Sequence, residues 1–299
     1  MSENGTEPKA VSVGILKGGV GKSTISVNLS DRLARPGGDN DVLFVDLDPN
    51  GHATKGLGFE EHYSDDDSLH LGNALPLERY DDGSVRDVVR PTGFGFDILP
   101  SHKEMENVQT YIQELIGPRT RIKGDVVDPL LGDEYDYIVT DAGAYEGVLP
   151  DSALVATGNI LLPITPAEEA IQGLGQTIER QIKPLKQEIG LDIMAIVPNR
   201  LSKRIDHHNN DRYLIEALNR QPSLARNLPG FARIDEEEFE RIDSGELRPL
   251  PKPGIRDRDA FSQAYRERKP LAAYDPDNDQ IERLDELARI VENGGVSYE

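Results

Sequence analysis

The run Lys17-Gly18-Gly19-Val20-Gly21-Lys22-Ser23-Thr24 gathers residue types that hold phosphate. Glycines at 18, 19 and 21 let the backbone turn tightly and aim N–H groups inward, and the dipole of a following helix favours an anion at the same point. Lys22 can then reach the outer phosphates of a nucleoside triphosphate, and the Ser23 hydroxyl can ligate Mg2+. A second group lies in Phe44-Val45-Asp46-Leu47-Asp48-Pro49-Asn50-Gly51-His52-Ala53-Thr54. Asp46 and Asp48, two residues apart at an extended strand end, point to one side, where both can face a metal and a terminal phosphate. A third, Tyr137-Ile138-Val139-Thr140-Asp141, is an apolar strand ending in a carboxylate placed to hold Mg2+ through water.

Positioning these groups requires strands that end at one edge and helices that begin there. Short apolar runs at Val11 to Leu16, Val42 to Asp46, Phe96 to Leu99, Tyr137 to Asp141, Ile160 to Ile164 and Ile193 to Val197 read as buried parallel strands. Helical patterns fall between or after them, at Lys22 to Arg35, Val108 to Ile116, Asp151 to Ala156, Ala167 to Glu188, Arg212 to Arg220 and Asn278 to Glu292. The alternation predicts an α/β fold with a mostly parallel central sheet flanked by helices on both faces. Residues 1–10 read as a flexible N-terminal segment and 11–299 as one domain. Within it, 60–82 reads as a solvated acidic insertion and 222–253 as an irregular one rich in Pro and charge.

With 299 residues and 37% hydrophobic content the chain can bury one sizeable core. It has no cysteine, which excludes disulfides, thiolate zinc sites, iron–sulfur ligation and thiol catalysis. No apolar run approaches the ~20 residues of a membrane span, and Met1 to Ala10 lacks the features of a secretory signal, so a soluble, cytoplasmic protein is expected. The formal charge of −21 argues against a nucleic-acid partner unless it reflects a salt-adapted surface. Acids spread along the whole chain, with arginine outnumbering lysine, favour that halophilic reading.

Leu16 stands where an ordinary phosphate loop has its first glycine, and Lys17 is an additional lysine. The form KGGVGKST resembles the deviant Walker A motif of the ParA/MinD superfamily of P-loop NTPases, and the segment from Asp46 resembles that family's DxDPQGNAT, with Asn50 and His52 as departures. The resemblance covers most of Val11 to Glu292 and is closest to ParA-type partitioning ATPases. It implies ATP and Mg2+ as cofactors and a homodimer in which Lys17 reaches the partner's ATP. It also implies that Asp48 orients or deprotonates the attacking water while Asp46 supports the magnesium shell. Phosphoryl transfer to water would proceed by positioning and charge neutralisation, slowly until a ParB-like or other adaptor stimulates it. The family often continues its Walker B strand with proline, whereas Ala142-Gly143-Ala144-Tyr145 stands here.

Asn199 in Ile196-Val197-Pro198-Asn199-Arg200 resembles the family's adenine-binding Asn, since an amide offers both donor and acceptor to a purine edge; a simple turn residue is the alternative. The segment from Gly254 to Pro276 resembles the family's tail, where Arg256, Arg258, Arg266, Arg268 and Lys269 concentrate positive charge. Two readings stand: a dimer-dependent nonspecific DNA surface, implying nucleoid association, or pairing with Asp257, Asp259 and Glu267. Asp206-His207-His208 reads as surface, because adjacent histidines on a helix diverge.

A MinD-like positioning ATPase is the competing function. It would carry a basic amphipathic C-terminal helix, but the helix with Ile281, Leu284, Leu287, Ala288 and Val291 on its apolar face is otherwise mostly acidic, so no membrane partner is expected. Cluster-carrying relatives need the missing cysteines, and amide-forming synthetases of the superfamily need a substrate pocket the sequence does not reveal. The first strand begins so early that a preceding helix-turn-helix domain is not expected.

Overall fold

The structure is a computed structural model that describes residues 7–14, 18–35, 40–80, 83–145, 147–167, 170–202, 205 and 209–297. Seven short runs form β1 (Lys9–Val13), β2 (Val42–Asp46), β3 (Arg90–Pro91), β4 (Asp97–Leu99), β5 (Tyr137–Asp141), β6 (Asn159–Ile164) and β7 (Asp192–Pro198). They make one sheet in the order β3-β4-β2-β5-β1-β6-β7, parallel throughout except where β3 pairs with β4. Because β1 is flanked by β5 on one side and β6 on the other, the chain leaves the sheet in diverging directions at its centre, which opens a crevice at the carboxyl ends.

The helices are α1 (Lys22–Ala34), α2 (His52–Gly56), α3 (Glu60–Ser64), α4 (Leu71–Ala74), α5 (Val85–Val88), α6 (Met105–Ile112), α7 (Val148–Thr157), α8 (Ala170–Thr177), α9 (Lys183–Ile189), α10 (Asn210–Arg220), α11 (Pro222–Ala225), α12 (Glu236–Asp243), α13 (Asp259–Arg266), α14 (Leu271–Tyr274) and α15 (Ile281–Glu292). Strand alternation decides which face each covers. Val11, Val13, Phe44 and Val139 pack with Leu29 and Leu33 of α1 and Leu284 and Leu287 of α15. Leu43, Val45 and Ile138 point the other way, to Val108 of α6 and Leu149 and Ala153 of α7. Burial of each such side chain contributes about 1.5–3 kcal/mol, and with both faces covered the central strands read as unbroken apolar runs. Ser12 of β1 and Thr140 of β5 are buried polar exceptions, and the Ser12 hydroxyl bonds Thr140 Oγ1 at 2.7 Å and Thr157 Oγ1 at 3.0 Å.

Some expectations need correction. Residues 1–6 lie outside the described residues, but Lys9 and Ala10 already belong to β1, with Ala10 and Val11 buried. The acidic stretch expected at 60–82 is not solvated throughout: residues 60–80 include α3 and α4 and bury Leu71, Leu75 and Leu77 against the α6–α7 face. The stretch 222–253 holds α11 and α12, and Ile234, Phe239 and Ile242 form a satellite core with Leu201 and Ile215. The long helix expected from Ala167 to Glu188 begins at Ala170 and widens into a π turn at Ile178–Ile182 before α9. Pro184 in α9 has no N–H to donate to the preceding turn, which accounts for the break.

Candidate functional site

The register of the central strands brings the chemistry together. Asp46, the last residue of β2, lies opposite Asp141, the last residue of β5, and Asp141 in turn lies opposite Val13 of β1. The glycine turn follows β1 and leads into α1. Gly19 and Gly21 have φ of 76° and 85°, a left-handed backbone natural to glycine. A Cβ on Gly21 would also stand 2.4 Å from Asn199 Nδ2. Lys22 is buried, and that burial lowers its pKa while the charges of Asp141 and Asp48 oppose the shift. Lys17 lies outside the described residues, as do Asp206, His207 and His208.

Asp48 is held by its own loop. Its Oδ1 accepts from the backbone N–H and the side-chain amide of Asn50, both at 2.9 Å, and its carbonyl accepts from Ser101 Oγ at 2.7 Å. Asp46 is fully buried, and both of its oxygens serve the turn: Oδ1 accepts from Asp48 N at 3.1 Å, and Oδ2 accepts from Thr54 N at 2.9 Å and Thr54 Oγ1 at 2.7 Å. Desolvation raises the Asp46 pKa, and the Thr54 hydrogen bonds only partly offset it. Asp46 therefore closes the loop that presents Asp48. Ser101 reinforces that loop a second time, its N–H donating to Thr54 Oγ1 at 2.8 Å, and Tyr63 Oη donates to Pro49 O at 2.8 Å. Sequence reasoning missed Ser101 and Tyr63, which are single residues outside any motif.

Asp141 is different. It is 1% exposed, and among the described residues no hydrogen bond of ordinary geometry reaches either oxygen. Burial, then the charge of Asp46, pushes its pKa well up, and nearby Ser23 and Lys22 pull it back only in part. A buried carboxylate without partners is costly unless a cation or its bound water completes it. With Ser23 beside it, the donor set is all oxygen, as a magnesium shell requires. The glycine turn, Ser23 and Asp141 thus fit a magnesium-bound polyphosphate.

A cavity of about 700 Å³ opens from Gly18, Lys22 and Asp48 past Thr24 and Asn28 of α1 to Ile255, Asp257 and α13. Asn199 and Arg200 line it from the end of β7. The Asn199 amide is committed within the protein, with Nδ2 donating to Val20 O at 2.7 Å and Oδ1 accepting from Arg200 N at 2.9 Å. Tyr145, in the stretch after Asp141 where the family often has proline, has a buried hydroxyl with no hydrogen bond among the described residues, and burial followed by the charge of Asp48 raises its pKa.

The five basic tail residues do not form one face. Arg256 is buried, with its guanidinium on the Ser202 carbonyl and its pKa lowered by desolvation. Arg258 pairs with Asp279 (Nε to Oδ1, 3.0 Å) and Arg268 with Glu60 at 3.0 Å. Pairing thus exists for these two, but with acids distant in the chain, Asp279 and Glu60, rather than Asp257, Asp259 or Glu267. Arg266 and Lys269 are exposed at the cavity mouth. Among the described residues no group of three or more acidic or histidine side chains forms a further metal cluster, and no helix is long and apolar enough to cross a membrane.

The sheet order and the glycine turn define a P-loop NTPase fold. A family model described as an AAA domain matches residues 8–194. The chain is 29% identical over 187 residues to the sporulation initiation inhibitor protein Soj of Bacillus subtilis, covering 62% of this chain and 69% of that one. It is 33% identical over 228 residues to the chromosome-partitioning ATPase Soj of Thermus thermophilus, covering 73% and 83%. Among solved structures, an ATP complex of a variant of McdA from Cyanothece superposes with a TM-score of 0.68 at 17% identity, over 99% of this chain and 100% of that one. The chain belongs to the ParA/MinD superfamily of P-loop NTPases.

Proposed function

We propose that this chain is a ParA-type ATPase that uses ATP with Mg2+ as a dimerisation switch in plasmid or chromosome partitioning. The observation that carries the reading is Asp141: a buried carboxylate that accepts no hydrogen bond of ordinary geometry among the described residues, beside Ser23 and Lys22 and in register with Asp46. When bound, Mg2+ neutralises charge on the phosphates. Ser23 and Asp141 hold it, and Asp46 supports the site through the Asp48 loop. The turn from Gly18 to Gly21, with Thr24 behind it, takes the phosphates, Lys22 reaches the outer ones, and Lys17 of a second copy completes the dimer. Asp48 orients or deprotonates the attacking water. Asn199, on the cavity wall, offers the base its second amide hydrogen and a carbonyl lone pair while Nδ2 keeps its bond to Val20 O. Residues 11–299 act as one ATPase domain.

The relative from Thermus thermophilus, a chromosome-partitioning ATPase, supports the partitioning role. Stimulation by a ParB-like adaptor and nonspecific DNA binding in the dimer belong to the same reading. With Arg256, Arg258 and Arg268 engaged inside the chain, Arg266 and Lys269 carry what DNA contact the tail makes. Phosphate release with Mg2+ and ATP tests the enzyme: slow turnover that Asp48→Ala abolishes supports it, and release that Asp48→Ala leaves unchanged refutes the assignment.

A further inference from the structure

Two adjacent side chains at the end of β7 grip two adjacent carbonyls of the glycine turn. Asn199 Nδ2 donates to Val20 O at 2.7 Å, and Arg200 Nη1 donates to Gly19 O at 2.7 Å. The backbone forces this arrangement. Asn199 N donates to Ile164 O of β6 at 2.7 Å, and Leu201 N donates to Ile255 O at 3.1 Å, so both neighbours of Arg200 are pinned. Arg200 absorbs the bend between them with φ of 55°, in the left-handed region that a side chain disfavours. The residue whose backbone would most readily be glycine is thus an arginine whose guanidinium reaches the turn. A guanidinium has five N–H donors and keeps its charge, so it can hold a carbonyl and still face the cavity.

We infer that Arg200 is a positioning residue for the phosphate loop. With Asn199 it sets the orientation of the Gly19 and Val20 peptide units before nucleotide arrives, so that their N–H groups already face the anion. A loop ordered in advance binds more tightly, because less freedom is lost on binding. Asn199 also packs against Gly21, where a Cβ would stand 2.4 Å from its amide, so the latch and the glycine requirement are one contact. The inference rests on the nucleotide-binding reading above, and its test separates the two.

The test compares the original chain, Arg200→Gly and Arg200→Lys. Calorimetry with MgADP and with a non-hydrolysable MgATP analogue measures affinity, and thermal unfolding without nucleotide measures stability. Glycine keeps the left-handed backbone but removes the guanidinium. Losing one charge-assisted bond should weaken nucleotide binding about tenfold in Arg200→Gly, with an unfolding midpoint unchanged or raised, and lysine should restore part of the affinity. Affinity within about twofold of the original, or a loss that merely tracks a lowered midpoint, would overturn the latch. If the original chain takes up no adenine nucleotide, the functional reading falls instead. The latch is then judged by amide hydrogen exchange at residues 18–21, where faster exchange in Arg200→Gly supports it and unchanged exchange refutes it.

Discussion

Asp46 and Asp141 end neighbouring parallel strands in direct register, both fully buried, yet their oxygens have opposite fates. Those of Asp46 are spent on Thr54 and the Asp48 backbone, whereas among the described residues those of Asp141 accept no hydrogen bond of ordinary geometry and have only Ser23 and Lys22 nearby. The first fixes a loop, and the second is the proposed magnesium ligand. Asp141→Asn removes the uncompensated charge, so it should raise the thermal midpoint of the nucleotide-free chain by about 2–4 °C. The same change should abolish the Mg2+ dependence of nucleotide affinity, measured by titration with and without the metal. A destabilised variant that keeps its metal dependence would contradict the assignment.

Gly21→Ala combines two penalties. The left-handed φ of 85° costs about 1–2 kcal/mol for any L side chain, and the new methyl meets Asn199 Nδ2 at 2.4 Å. Chemical denaturation should show destabilisation of at least that size. Adding Asn199→Ala should recover the steric part and leave the backbone part, giving a non-zero coupling in the double-mutant cycle.

Asp31 on α1 supplies a pH test away from the site. Burial first, opposed by Arg32, raises its pKa from 3.8 to about 6, and Arg32 Nη1 stands 3.6 Å from its Oδ2. The folded chain holds this proton more tightly than the unfolded chain, so stability is greatest below the unfolded value and is lost as pH rises through about 6. The loss is on the order of 3 kcal/mol. Asp31→Asn should flatten that part of the profile of thermal midpoint against pH between 4 and 7. An equally steep profile in the variant would assign the dependence elsewhere.

DNA retention by the ATP-bound chain should divide the tail residues. Replacing Arg266 and Lys269 together with alanine should weaken retention and reduce the slope of log affinity against log salt by about two. Arg258→Ala, whose partner is Asp279, should leave that slope alone. Equal effects from both would mean that the Asp279 pair opens on DNA.

The sequence made the frame and the phosphate loop readable, because buried parallel strands are unbroken apolar runs and the glycine turn is local. Tyr137–Asp141 has the same bounds in the structure as in the pattern. The strand Arg90–Pro91 left no trace, since two edge residues, one of them a proline, carry no periodicity. The acid run at 60–82 hid Leu71, Leu75 and Leu77, because the helix that begins at Leu71 is too short to show a 3.6-residue period. Ser101, Tyr63 and the grip of Asn199 and Arg200 on the glycine turn depend on contacts far apart in sequence, which no spacing rule can supply.

The central claim is that nucleotide closes two copies through Lys17 and that Asp48 reopens them. Light scattering on the 33.0 kDa chain with Mg2+ and ATP measures this directly. The mass should double transiently in the original chain, double persistently in Asp48→Ala and stay monomeric in Lys17→Ala. A monomeric mass in all three with nucleotide bound, or a dimer indifferent to both substitutions, would contradict it.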